Sequence, residues 1–205
     1  MNIIGDYGRG NLKSLQNALK RINMEFEISS DPETILKANS LIIPGVGAFK
    51  DAMNSMKQTG MDKCIIDFAK TEKPILGICL GMQLLYQKGY EYGTTEGLGL
   101  IKGNIEPLQI SKKVPHMGWN NLKFKKSDPI LKYIKSDDYV YFVHSYYAVS
   151  SNQELIAYSE YEVQIPAIVR SNNIYGIQFH PEKSADVGEK ILIAYKELVE
   201  ERVQK

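Results

Sequence analysis

The N-terminal part of the chain repeats one pattern: a run of about four apolar residues, then a stretch with apolar side chains every three or four positions. Asn2 to Gly5 (NIIG) precedes NLKSLQNALKRI, in which Leu12, Leu15, Leu19 and Ile22 share one helical face. Glu25 to Ser29 alternates as a strand, and Asp31-Pro32-Glu33 supplies an N-cap followed by a first-turn proline. Ser40 to Ile43 is an apolar strand closed by Pro44-Gly45. Phe49 to Gln58 and Met61 to Ala69 read as helices, Ile75 to Ile78 as a buried strand, and Gly81 to Gln87 as the helix that follows it. Apolar strands alternating with helices point to a parallel sheet covered on both faces. The expected fold class is α/β, with a mostly parallel central sheet flanked by helices.

From about Leu98 the texture changes. Strand-like runs at Ile105 to Ile110, Trp119 to Phe124, Tyr139 to Val149, Leu155 to Ser159, Ala167 to Arg170 and Ile174 to Phe179 are separated by short polar turns. They predict an additional, mostly antiparallel β region. Asp186 to Val203 closes the chain as one amphipathic helix with Val187, Ile191, Ala194, Tyr195 and Leu198 along its apolar stripe. No repeat, linker or low-complexity segment interrupts residues 1–205, which read as a single domain.

Charge and cysteine content narrow the function classes. Twenty-five basic residues stand against 24 acidic ones, a net charge of +1, so no global field draws the chain to nucleic acid or an anionic membrane. No stretch reaches the roughly 20 apolar residues needed to cross a bilayer, and the N-terminus lacks the pattern of a signal peptide. A cytoplasmic protein acting on small molecules or on another protein is expected. The two cysteines, Cys64 and Cys79, are too few for a disulfide framework and lack metal-site spacing. No metal or organic cofactor is indicated.

Each cysteine has its own setting. Cys64, in MDKCIIDFAK, shares an apolar helical face with Met61 and Phe68 and reads as core. Cys79 lies in PILGICLGMQ, where Gly77-Ile-Cys-Leu-Gly81 has the form G-x-C-x-G, the thiol counterpart of the nucleophile elbow. Glycines two residues to either side leave room for a tight strand-to-helix turn that exposes the sulfur above the strand's C-terminal end. A helix N-terminus there would favour negative charge and offer N–H groups to an oxyanion. A buried, inert cysteine is the alternative.

A thiol nucleophile needs a base, and the histidines are His116, His144 and His180. His180 is followed by Pro181-Glu182. In an extended segment residues i and i+2 project to the same side, which would let Glu182 hold the His180 imidazole. His116 and His144 have no carboxylate at such spacing and read as structural or substrate-facing. Asp6-Tyr7-Gly8-Arg9-Gly10-Asn11 follows a strand and precedes a helix, but Lys13 stands where a dinucleotide-binding loop needs its third glycine.

With these residues in view, GICLGMQ together with QFHPE resembles the signature of class I glutamine amidotransferases. IIGDYGRGNLKSL, IPGVGAF, GLGLIKG, VPHMGWNNL, FVHSYY and IQFHPEKS, in that order along almost the whole chain, resemble the glutaminase subunits of imidazole glycerol phosphate synthases. The resemblance implies glutamine hydrolysis by a triad of Cys79, His180 and Glu182, with ammonia passed to a (β/α)8-barrel cyclase subunit in histidine biosynthesis. It also implies a heterodimer. Leu80 N–H, next to the nucleophile, and the Gly45-Val46-Gly47 loop, through Val46 and Gly47, are the expected oxyanion donors. Gln83, Ser145 and Tyr146 are implied glutamine contacts. Asn11, Met117, Trp119, Asn120 and Lys183 are implied to face the cyclase, although a buried core tryptophan is also open for Trp119. Three rival readings remain at this stage. One is a thiol peptidase or γ-glutamyl hydrolase, another a catalytically dead interaction subunit, and the third a paralogue feeding ammonia to surface-sugar biosynthesis.

Overall fold

A computed structural model describes residues 1–8, 12–149 and 152–204. The N-terminal alternation forms as the apolar pattern requires. In chain order it comprises β1 (Asn2–Gly5), α1 (Leu12–Arg21), β2 (Phe26–Ser29), α2 (Pro32–Lys37), β3 (Ser40–Ile43), α3 (Phe49–Thr59), α4 (Met61–Lys70), β4 (Ile75–Ile78) and α5 (Leu80–Leu84). Helix α2 begins as expected: the Asp31 carboxylate accepts the Thr34 N–H at 2.9 Å, and Pro32 occupies the first turn. Helix α5 is shorter than the Gly81 to Gln87 reading. Leu85 ends it, and Tyr86–Gly89 is a strand, β5, because Gln87 and Lys88 turn toward solvent while Tyr86 and Gly89 stay buried.

The C-terminal part contributes β6 (Thr95–Glu96), β7 (Ile101–Pro107), β8 (His116–Asn121), β9 (Lys123–Phe124), β10 (Tyr139–His144), β11 (Tyr146–Val149), β12 (Leu155–Tyr161), β13 (Val163–Ser171), β14 (Ile174–Ile177) and α6 (Ala185–Val203). The run Tyr139 to Val149 is two strands rather than one. It breaks at Ser145, after which β11 joins a four-stranded sheet, β11-β7-β5-β6, while β10 pairs with β8.

The main sheet has eight strands in the order β2-β1-β3-β4-β14-β13-β12-β9. Strands β2, β1, β3, β4 and β14 are parallel; β13, β12 and β9 extend the sheet antiparallel. The region predicted as antiparallel from Leu98 onward therefore also contains parallel pairings, β14 beside β4 in the main sheet and β7 beside β5 in the smaller one. Strand β14 inserts beside β4 in the register Ile174↔Ile75 to Ile177↔Ile78, so two four-residue strands far apart in sequence end side by side.

Alternate residues of the central strands face opposite sides. Ile3, Leu41, Ile43 and Ile75 pack with Phe49, Met53, Met56 and Phe68 of α3 and α4. Ile4, Ile42, Leu76 and Ile78 pack with Leu15 and Leu19 of α1 and Ile191, Leu192 and Tyr195 of α6. Each such side chain contributes about 1.5–3 kcal/mol by leaving water, and together they fix the height at which every strand ends.

The glycines near the end of β4 answer to space rather than to entropy. Gly77 and Gly176 lie opposite each other in β4 and β14. A Cβ on Gly77 would stand 2.7 Å from the Gly81 carbonyl oxygen, and one on Gly176 2.7 Å from Met82 Cγ. A Cβ on Gly81 would overlap the Ile43 carbonyl oxygen. The paired glycines thus form the trough into which α5 settles, with Gly81 against the end of β3.

Candidate active site

Cys79 is the residue between β4 and α5, and its backbone is strained, at φ 54° and ψ −113°. Such a conformation costs a non-glycine residue of order 1–3 kcal/mol and persists only where the surroundings enforce it. Here the trough under α5 enforces it. The sulfur reaches a cavity of about 320 Å³, within the range of small-molecule sites. Val46, Gly47, Leu80, Gln83, Glu91, Val143, His144, Ser145, Tyr146 and His180 complete its lining. A hollow of about 540 Å³ lies near the opposite ends of β4 and β14, lined by residues such as Lys73, Arg170 and Asn173, with no nucleophile in it.

The parallel insertion of β14 brings His180 to this cavity. Its imidazole shares the cavity with the Cys79 sulfur, and Nδ1 lies 2.8 Å from Glu182 Oε1. The carboxylate is an acceptor, so Nδ1 carries hydrogen and Nε2 is left for the sulfur. The His180–Glu182 contact does not come from an extended segment. Pro181–Lys183 is a turn of 3-10 helix, closed by the Lys183 N–H to the His180 carbonyl at 3.0 Å. Ser184, fully buried, donates its hydroxyl to the same carbonyl at 2.6 Å and accepts the Tyr141 N–H at 2.9 Å. Proline at the first position of the turn and this serine fold the carboxylate back onto the ring. Burial of the ring opposes its charged form, but the Cys79 and Glu182 side chains outweigh that effect and push the His180 pKa up to about 10. The geometry thus suits proton transfer from the sulfur to the ring.

Two other residues hold the sulfur. Cys79 Sγ lies 3.9 Å from the Val143 carbonyl oxygen and 3.9 Å from Gln178 Nε2. Leu80 is the first residue of α5, so its N–H has no acceptor within the helix. Val46 is 44% exposed at the cavity's edge, and Gly47 adopts φ 99°. Tyr7 anchors this loop by donating its hydroxyl to the Pro44 carbonyl at 2.6 Å. Gln83 donates Nε2 to the Tyr146 carbonyl and to Gln178 Oε1, both at 3.0 Å. Ser145 and Tyr146 line the cavity as the sequence led us to expect. Glu91 escaped sequence reasoning because it lies outside every quoted motif, and Val143 and Gln178, although inside FVHSYY and QFHPE, carried no role that the sequence alone assigned. Glu91 Oε2 accepts the Phe49 N–H at 2.7 Å, capping α3 where Ala48 offers no side-chain cap.

Cys64 behaves differently from Cys79. It is buried with Phe68 and Met61, and burial raises its thiol pKa, which keeps it protonated and inert.

His116 and His144 form a buried pair, Nδ1 to Nε2 at 2.9 Å. His144 Nδ1 faces the Tyr146 carbonyl at 2.9 Å and must donate, so His144 Nε2 accepts from His116, whose own Nε2 accepts from Asn120 Nδ2 at 3.2 Å. Burial lowers the pKa of His144 to about 3 and that of His116 to about 4. Both rings are neutral in the folded chain. Below pH 6.5 the unfolded rings bind protons that the folded rings refuse, so stability falls with pH, by up to about 1.4 kcal/mol per pH unit for each ring. His180 has the opposite sign: what it contributes is complete below pH 6.5 and is lost as pH rises toward 10. Urea unfolding at pH 7, 6 and 5 should therefore show a declining midpoint, and a flat profile over that window would contradict the neutral pair.

The implied partner-facing residues divide. Asn11 lies outside the described residues. Met117 and Trp119 stand out from β8, 60% and 53% exposed, so Trp119 is not a core tryptophan. Asn120 turns inward to His116 and the Glu160 carbonyl. Lys183 is exposed on the turn that carries Glu182. That turn adjoins β10, since the His180 N–H bonds the Tyr141 carbonyl and Tyr141 lies opposite Trp119 with the two rings 6.0 Å apart.

A model of the family described as "Glutamine amidotransferase class-I" matches residues 3–197. The chain belongs to the class I glutamine amidotransferase family. Among curated members it is 52% identical over 196 residues to the imidazole glycerol phosphate synthase subunit HisH of Lactococcus lactis, covering 95% of this chain and 97% of that one. It is 50% identical over 201 residues to the protein of the same name from Oceanobacillus iheyensis, covering 97% and 100%. The structure of PurLQS from Thermotoga maritima superposes with a TM-score of 0.73 at 20% identity, covering 96% of this chain and 97% of that one. The last likeness establishes that this amidotransferase shares the fold. No described helix of the amidotransferase is long and apolar enough to cross a membrane.

Proposed function

We propose that the chain is the glutaminase subunit of imidazole glycerol phosphate synthase, hydrolysing glutamine and delivering the ammonia to a (β/α)8-barrel cyclase in histidine biosynthesis. The observation that carries the chemistry is the meeting of Cys79 and His180 at the ends of adjacent parallel strands, inside one cavity. Relatives about half identical over nearly their whole length support the assignment to the synthase.

The Cys79 thiol proton passes to His180 Nε2, and the thiolate attacks the carboxamide carbon of glutamine. The oxygen acquires negative charge and is met by the Leu80 N–H and an N–H of the Val46–Gly47 loop. His180 then protonates the departing nitrogen, so ammonia leaves and a γ-glutamyl thioester remains. Water attacks the thioester with His180 as base, releasing glutamate and restoring the thiol. Glu182 keeps Nδ1–H in place and balances the imidazolium in the buried turn. Glu91 offers a carboxylate at the cavity wall for the substrate's ammonium group, while Ser145 and Tyr146 bound the remainder of the substrate.

Met117 and Trp119, with Lys183 on the neighbouring turn, form the surface on which the cyclase docks. An exposed tryptophan beside a tyrosine is the kind of anchor that dominates protein interfaces. The test supplies amide-15N glutamine and the cyclase's ribonucleotide substrate to the chain with and without the cyclase. Label should enter the imidazole product, and glutamate release should rise at least about tenfold with the cyclase present. Label found only as free ammonia, with no rise in rate, would refute the assignment.

A further inference from the structure

Gln178 is fully buried and takes no part in the mechanism above, yet its side chain ends beside the reacting sulfur. The chemistry of its neighbours fixes which end. The Tyr146 carbonyl can only accept, so the Gln83 atom 3.0 Å away is Nε2. The second hydrogen of that Nε2 points to Gln178 at 3.0 Å, where only Oε1 can receive it. Gln178 Nε2 is thereby turned toward Cys79 Sγ, at 3.9 Å. A main-chain carbonyl thus dictates the direction of two amides in series, and the last one presents N–H to the sulfur.

On the reading of Cys79 as nucleophile, we propose that Gln178 is the donor that stabilises and aims the Cys79 thiolate, with Gln83 as the positioning residue that orients it. The opposing neighbour shows why a donor is needed. The Val143 carbonyl, also 3.9 Å from Sγ, can accept the thiol proton but repels a thiolate. When the proton passes to His180, the Val143 contact becomes unfavourable and the Gln178 contact becomes charge-assisted. Gln178 gives up no proton; it holds the sulfur while His180 carries the proton on to the leaving nitrogen. Because Gln178 does not line the cavity, its loss should alter turnover rather than substrate affinity.

The experiment follows the rate of iodoacetamide alkylation against pH in the full chain, read on the peptide containing Cys79 so that Cys64 does not interfere. Glutamate release is measured in parallel with the cyclase present. Gln178→Leu should raise the alkylation midpoint by about one pH unit and lower kcat about tenfold, with KM changed less than about twofold. Gln178→Glu, which places an acceptor where the donor stood, should raise the midpoint further, and Gln83→Met should shift it in the same direction. If Gln178→Leu does not fold, Gln178→Met of similar length takes its place in the same assay. Profiles that superpose on the wild type, in variants with unchanged melting temperature, overturn the proposal. Turnover retained by Cys79→Ala would instead remove the nucleophile on which it rests, so the two failures are distinguishable.

Discussion

Replacing Cys79 by alanine should abolish glutamine turnover, lowering kcat by at least about 10⁴-fold in the presence of the cyclase. Without the sulfur no thioester can form, and neither the oxyanion donors nor His180 supplies another nucleophile. A glutamine-like diazo ketone should add its mass to the wild-type peptide around Cys79 and leave the variant unmodified. Stability gives a second, independent reading. Alanine inherits the strained φ of 54°, whereas glycine accepts it. Cys79→Gly should therefore be equally inactive yet more resistant to urea, by about 1 kcal/mol. A Cys79→Ala protein that still releases glutamate at an appreciable rate would dismiss the mechanism.

Gly81→Ala should be the most disruptive single-methyl change in the site. Its Cβ would overlap the Ile43 carbonyl oxygen, a main-chain atom at the end of β3, and cannot be accommodated by a rotamer change. Either α5 lifts from its trough or β3 shifts; overpacking of this kind costs about 1–3 kcal/mol and sometimes more. Since α5 carries Leu80 and Gln83, and β3 leads into the Val46–Gly47 loop, activity should fall much further than stability. Chemical unfolding and glutamate release measured on the same preparation check both parts. An alanine variant with normal kcat would mean that the strand-to-helix junction is far more compliant than its packing indicates.

The strand-to-helix turn at Cys79 was legible in the sequence because its constraint is local: two glycines at fixed spacing around one thiol. The first four strands and helices were legible for a similar reason, as apolar runs punctuated by Pro32 and Pro44-Gly45. The pairing of β14 was not. IYGI and ILGI look alike, and nothing within either run states that one will lie parallel to the other, Gly176 opposite Gly77. The turn at Pro181–Lys183 was also hidden, since His-Pro-Glu allows both an extended and a folded path, and the choice rests on Ser184 reaching back to the His180 carbonyl. Glu91 became visible only through its partners, and Gln178, although it opens the QFHPE stretch, showed its role only through its own. A buried amide or a capping carboxylate leaves no periodic trace; its role is written in what the fold places around it.

The insertion of β14 between β4 and β13 also sets a timetable for synthesis. Gln178 follows Cys79 by 99 residues, and His180 and Glu182 come later still. A nascent chain that has already exposed its thiol therefore lacks the base, the carboxylate and the amide donor until its last strand is made. Contacts so distant along the chain are among the slowest to form, and the central sheet cannot close before them. On the proposed mechanism, glutamine hydrolysis is thus withheld from every unfinished copy: Gln178, His180 and Glu182 follow directly on the strand that completes the sheet.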